Sequence, residues 1–203
     1  MNTQKMNSES GFIQLINAIT SLPSEQEDSF RALLSVEKIK KGNHFVRAGR
    51  MSRTIAFVKK GLFRYFYTSE DGVEFTKGFF NAQSVLSAYD AILENSPAHY
   101  TIEALEDSII ETVDYNKFHQ LLSEAPCWNE FLVALLQKGY LAKVRREREF
   151  LLLDAEQRYR AFLERYPGLE KRIKQHVIAS YIGITPESLS RIRKKIGPLN
   201  IDQ

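Results

Sequence analysis

The stretch QHVIASYIGITPESLSRIRK, residues 175–194, decides how this chain is read. Two short apolar-periodic runs flank a single glycine, Gly183, and Thr-Pro-Glu follows it almost at once. Two helices that cross steeply through a tight turn impose fixed demands. The first helix needs a small residue where the second crosses it, and Ala179 is there. The turn needs a residue that tolerates positive φ, and Gly183 supplies it. Core-facing positions fall to Ile178, Ile182, Ile184, Leu189 and Ile192. Thr185 is a good N-cap, and Pro186 suits the first helical position. Every demand is met, so the stretch predicts a helix-turn-helix.

The outward positions of the second helix are Pro186, Glu187, Ser190, Arg191 and Lys194. No acid follows Glu187 up to residue 195, whereas Arg191, Arg193, Lys194 and Lys195 are cationic. A recognition helix reads base edges from its N-terminal half while hydroxyls and cations around it hold phosphates. Arg191 can bind guanine bidentately, and Glu187 can accept from cytosine. Four residues apart, the two also suit a surface ion pair worth about 0.3–0.5 kcal/mol, which is compatible with base reading. Thr185, Ser188 and Ser190 offer hydroxyls. Lys194 and Lys195 suit phosphate, which adds affinity and salt dependence rather than specificity. The expected partner is double-stranded DNA.

Charge over the whole chain agrees. Residues 137–203 hold 15 Lys and Arg against 8 Asp and Glu, a balance of +7; the remaining residues hold 13 against 17, a balance of −4. A basic C-terminal part places a polyanion partner there. At 203 residues, with 43% hydrophobic and 26% charged residues, the composition is that of a globular protein. No run approaches the roughly 18 apolar residues of a membrane helix. MNTQKMNSES lacks the apolar core of a signal peptide. One cysteine, Cys127, allows no intrachain disulfide and no four-cysteine metal site. The expected setting is therefore the cytoplasm, with no membrane partner and no metal.

Upstream the texture changes twice. Residues 12–34 carry helical periodicity, broken at Leu22-Pro23-Ser24. Short β-rich runs follow at 44–47, 54–60, 62–68, 73–80, 100–104 and 108–114. Glu70-Asp71-Gly72 between two of them is a hairpin signal. Many short strands with regular turns argue for a β-roll of jelly-roll type, filled by Phe57, Phe63, Tyr65, Phe75, Phe79 and Phe80. From Tyr115 the pattern is helical. Residues 129–153 read as one long helix, apolar beyond a single face, which calls for two burying surfaces, its own domain and a second copy of the chain; packing on its own domain alone is the alternative. Asp154 caps the next helix, which Pro167-Gly168 ends. The expected class is α+β, divided into helices and β-roll over 1–128, a long dimerisation helix over 129–153, and a helix-turn-helix domain over 154–203.

Gly183-Ile184-Thr185-Pro186-Glu187-Ser188-Leu189-Ser190-Arg191-Ile192, with this order of elements, resembles the CRP/FNR family of bacterial transcription regulators. The resemblance spans nearly the whole chain. It implies a cyclic-nucleotide-binding-like roll, a winged-helix-like C-terminal domain, a homodimer and, for an activator, RNA polymerase as a further partner. It also places Glu187 and Arg191 at the family's base-reading positions. Pro186 departs, because many members carry a DNA-contacting Arg there, and little chain follows Gly197-Pro198 to build a wing.

Relatives that bind cyclic nucleotides use a Gly-Glu-Leu segment and an Arg-Ser or Arg-Thr pair. Here the corresponding residues, 79–86 and 98–100, hold neither the glycine–glutamate pair nor an arginine. A buried phosphate without its cation is expensive, so cAMP is not expected in the usual pose and no cofactor is assigned. Gln83, Ser84, His99 and Tyr100 mark the candidate effector region. FNR-type oxygen sensing lacks its cysteines, and no ligand spacing for haem is present. A cupin-like enzyme would need paired histidines and a carboxylate. No nucleophile–base constellation is legible, and no catalytic residue is assigned. The competing reading is a ligand-binding module whose C-terminal helices bind protein rather than DNA.

Overall fold

A computed structural model describes residues 10–196. The leader and wing expectations rest on residues 1–9 and 197–203, outside the described residues. The chain divides into two compact units, 1–64 with 79–138 and 65–78 with 139–203.

Ser10 caps helix α1 (Gly11–Asn17) by accepting from the Ile13 amide. Helix α2 (Ser24–Leu33) follows the Leu22-Pro23 break. Strands β1 (Ser35–Ile39), β2 (His44–Val46), β3 (Thr54–Lys60), β4 (Leu62–Thr68), β5 (Glu74–Asn81), β6 (Val85–Leu86), β7 (Thr101–Ala104) and β8 (Ser108–Asp114) form two four-stranded sheets. Their orders are β1-β8-β3-β6 and β2-β7-β4-β5. β8 is central to the first, pairing antiparallel with β1 (Ser35 opposite Thr112) and with β3 (Thr54 opposite Asp114). Helix α3 (Tyr89–Glu94) lies between β6 and β7, and α4 (Tyr115–Leu121) follows β8.

A layer of aromatics joins the N-terminal helices to the β1-β8-β3-β6 sheet. Phe12 stacks on Phe57 with centroids 5.6 Å apart, and Phe30 lies 5.2 Å from Trp128. Trp128 is fully buried and satisfies its indole N–H on Gln26 Oε1 at 2.7 Å. The start of α1 is held by the buried Glu111 of β8. Its Oε2 accepts from Ser10 Oγ (2.9 Å) and the Phe12 amide (2.8 Å). A carboxylate at a helix N-terminus meets both the orphan amides and the positive end of the dipole.

Three elements exceed the sequence expectation: β1, β6 and α3. The long helix α5 begins at Pro126 and ends at Leu152. The aromatic filling of the roll needs correction at two residues. Phe57 packs on the helices, and Phe75 is exposed. The reason for Phe75 is the pleat: Thr76 beside it is buried, so Phe75 points to the opposite face.

The second unit combines the β4–β5 hairpin, closed by the turn Ser69–Gly72 with Gly72 at φ 78°, with the C-terminal helices. Helix α6 (Ala155–Arg165) opens on a capping box. The Gln157 amide donates to Asp154 Oδ1 (2.8 Å), and the Asp154 amide donates to Gln157 Oε1 (3.0 Å). Asp154→Ala is expected to destabilise this unit by about 0.5–2 kcal/mol, read as a lowered denaturant midpoint. A single 3-10 turn (Leu169–Lys171) leads to α7 (Gln175–Ile182) and α8 (Pro186–Ile196). Among the described residues no helix is long and apolar enough to cross a membrane.

Candidate functional site

The turn between α7 and α8 is built as the sequence requires. Gly183 sits at φ 74° and closes α7, and the Ile184 amide donates to Ala179 O at 3.0 Å. Ala179, Ile178 and Leu189 are completely buried, and Ile182 nearly so. Ile184 and Ile192 are half-buried. Beneath them lies an aromatic cluster of Tyr159, Phe162, Tyr166 and Tyr181, whose centroids are 5.6–6.3 Å apart in successive pairs. Burial raises the Tyr166 phenol well above its ordinary range.

Thr185 caps α8: its Oγ1 accepts from the Ser188 amide at 3.2 Å, and Leu189 N reaches Thr185 O at 3.0 Å. Pro186 takes the first helical position, where no amide is needed. Glu187 and Arg191 are both exposed on this helix. Its own backbone amide, then the Thr185 hydroxyl, then the Arg191 charge hold the Glu187 carboxyl below its ordinary value. Arg191 is oriented by a bond from Nη2 to Ser188 Oγ (3.2 Å). Lys194 is exposed, whereas Lys195 turns back to Glu156 Oε2 at 2.7 Å. That bond raises the Lys195 pKa and ties the end of α8 to α6. The predicted set is thus gathered on α8 and its cap, with Lys195 partly committed within the protein.

Four supports were not visible in the sequence. Gln175 Nε2 donates to Pro186 O (2.9 Å), joining the first turns of α7 and α8. Two arginines cap the C-terminus of α7. Arg146 donates to Tyr181 O (2.6 Å) and Arg158 to Ile182 O (2.8 Å), where the helix dipole favours cations. Phe150, under the turn, is flanked by both guanidiniums at 4.6 and 5.0 Å. The result is a rigid mount for a helix with a cationic outer face.

The candidate effector residues each bond locally. Gln83 lies in the β5–β6 connection at φ 69°, its amide bonded to Val58 O (2.8 Å), and Ser84 Oγ bonds Asn81 Oδ1 (3.1 Å). Tyr100 is buried with its hydroxyl on Asp90 Oδ1 (2.9 Å) and Ser87 O (3.2 Å). His99 is exposed, 3.4 Å from Glu94 Oε2. Residues 79–100 contain no Lys or Arg, and α3 brings two carboxylates instead. Arg64, buried on β4, has its Nε on Glu103 Oε2 of β7 at 2.7 Å, so its charge is already matched. These donors do not fit a cyclic nucleotide's phosphate.

Residues 36–125 match the cyclic nucleotide-binding domain family. The fumarate and nitrate reduction regulatory protein of Vibrio cholerae is 24% identical over 197 residues, 88% of this chain and 75% of the relative. The chain is similar to regulators of this kind over most of its length. Electron transport regulator A of Shewanella oneidensis is 24% identical over 169 residues, 76% of this chain and 65% of the relative. Among solved structures, the c-di-GMP responsive global regulator CLP of Xanthomonas campestris superposes with a TM-score of 0.70 at 18% identity. It covers 86% of this chain and 91% of its own. At that identity the likeness speaks for the fold alone.

Proposed function

We propose that this chain is a sequence-specific DNA-binding transcription regulator of the CRP/FNR type that acts as a homodimer in the cytoplasm and does not use cAMP. The observation that carries the reading is the outer face of α8, where Thr185, Glu187, Ser190, Arg191 and Lys194 stand on a buried, bonded mount. Glu187 and Arg191 read bases, Pro186 shapes the entry, and Thr185, Ser188, Ser190 and Lys194 meet the backbone, with Lys195 contributing from its bond to Glu156.

Dimerisation is supported by α5, where Val133, Leu136, Tyr140, Leu141 and Val144 are 40–67% exposed. Residues 133, 136, 140 and 144 recur at near-heptad spacing, which suits a helix pairing with its own copy. Two recognition helices then meet half-sites about one DNA turn apart. An activator of this type also meets RNA polymerase.

Selection from random duplex DNA, with no added ligand, tests this. A near-palindrome is the expected product, bound by a species of twice the chain mass in light scattering. Lys194→Ala should weaken binding to all sequences alike and make the log K against log[salt] slope shallower by about one unit per chain. A folded dimer that enriches nothing would turn attention to an effector or to a protein partner.

A further inference from the structure

β5 is an edge strand of its sheet, and edge strands present unpaired amides and carbonyls. Here part of that edge is covered by side chains. Ser180, in the middle of α7, donates its hydroxyl to Glu74 O (2.6 Å) and accepts from the Thr76 amide (2.8 Å). Residues two apart in a strand aim these groups to the same side, and one hydroxyl can serve both because it is donor and acceptor at once. Ser180 thereby stands where a neighbouring strand's residue would. Arg146 of α5 continues the pattern: its Nη2 donates to Thr76 O (3.1 Å) and also to Tyr181 O (2.6 Å). Its guanidinium carbon lies 4.0 Å from the Tyr181 ring centroid. One cation thus bonds β5 and α7 from α5. Thr76 is 2% exposed, so its amide and carbonyl on this side rely on Ser180 and Arg146.

We propose that the β5 edge is a docking strip for α7, and that Ser180 and Arg146 are positioning residues that hold the recognition helix in one orientation. α8 is carried by α7 through Gly183 and the Gln175–Pro186 bond, so fixing α7 on the strip fixes the face that meets DNA. The strip itself is closed by a hairpin whose strands continue into the β2-β7-β4-β5 sheet. The docking claim stands without DNA; its functional consequence rests on the DNA-binding reading.

Spin labels on Asp71→Cys and Lys194→Cys, both exposed sites, test the docking with buried Cys127 left in place. Labelled chains are diluted with unlabelled chain so that only distances within one chain are read. A single narrow distance is expected for the parent, a broader distribution for Ser180→Ala, and a still broader one when Arg146→Met is added. Ser180→Thr, which keeps the hydroxyl, should restore the narrow distance. A parent distribution already broad, or a double variant as narrow as the parent, overturns the proposal.

The second arm uses the selected palindrome with one base pair added or removed between half-sites. The parent should discriminate by about tenfold or more, and Ser180→Ala by much less, with half-site sequence preference unchanged. Unchanged spacing preference in a variant whose distances have broadened would remove the functional role. A parent that binds no duplex would count against the DNA reading alone, and the distances would still judge the docking.

Discussion

Arg191→Ala is expected to weaken operator binding by about 1–3 kcal/mol per half-site and to erase preference at one base pair in each. With two copies on a palindrome the loss doubles, to about 2–6 kcal/mol if the half-sites act independently. The geometry favours a base contact over a phosphate contact. Arg191 lies in the middle of α8, exposed, with its guanidinium held by Ser188 Oγ one turn earlier and the ionised Glu187 on the same face. A fork oriented before binding loses less freedom when it grips guanine bidentately. Lys194, one position before the internally paired Lys195, has no such orientation and should act through charge alone. Binding measured across a panel of single-base operator variants separates the two roles. If Arg191→Ala lowers every affinity equally, Arg191 holds a phosphate and the base-reading assignment fails.

What the sequence shows and what it hides follow from the range of the interactions involved. The helix-turn-helix was readable because its demands are local: a positive φ at Gly183, a hydroxyl cap at Thr185, and isoleucines spaced for one core within twenty residues. The same holds for the N-cap at Asp154 and the Glu70–Gly72 hairpin. β1 was missed because Ser-Val-Glu-Lys-Ile is almost wholly exposed on a sheet edge and carries no alternation. β6 has two residues, too few for any period. The positioning set was out of reach for another reason. Ser180 and Glu74 are 106 positions apart, and Arg146 and Thr76 are 70 apart. Serine in a helix and arginine in a charged run are ordinary residues until the fold brings them to a strand edge. The effector region is the reverse case. Tyr100 and His99 are adjacent in sequence, yet one is buried against Asp90 and the other is exposed beside Glu94.

Gly183→Val should cost about 2–5 kcal/mol and abolish operator binding, through two separable effects. The first is backbone strain. At φ 74° a β-branched residue is a steric outlier, and the left-handed conformation costs roughly 1–2 kcal/mol for an L-residue. The second is contact. A Cβ at this position would lie 2.8 Å from Phe150 Cε1. Phe150 is 41% exposed and has some room to yield, but Arg146 and Arg158 flank its ring. Overpacking of this kind costs roughly 1–3 kcal/mol. Both effects act on the turn that carries α8, so a chain that still folds presents α8 wrongly.

Denaturant midpoints for a small set of variants divide the cost. Gly183→Asn keeps a residue that tolerates the left-handed region and should lose less than Gly183→Val. Gly183→Ala, measured with and without Phe150→Ala, isolates the contact as a coupling between the two sites. Removal of the ring should recover the contact part and leave the backbone part untouched. A Gly183→Ala cost that is the same in both backgrounds would assign the whole requirement to backbone conformation. Phe150 would then be a neighbour of the turn rather than a reason for its glycine.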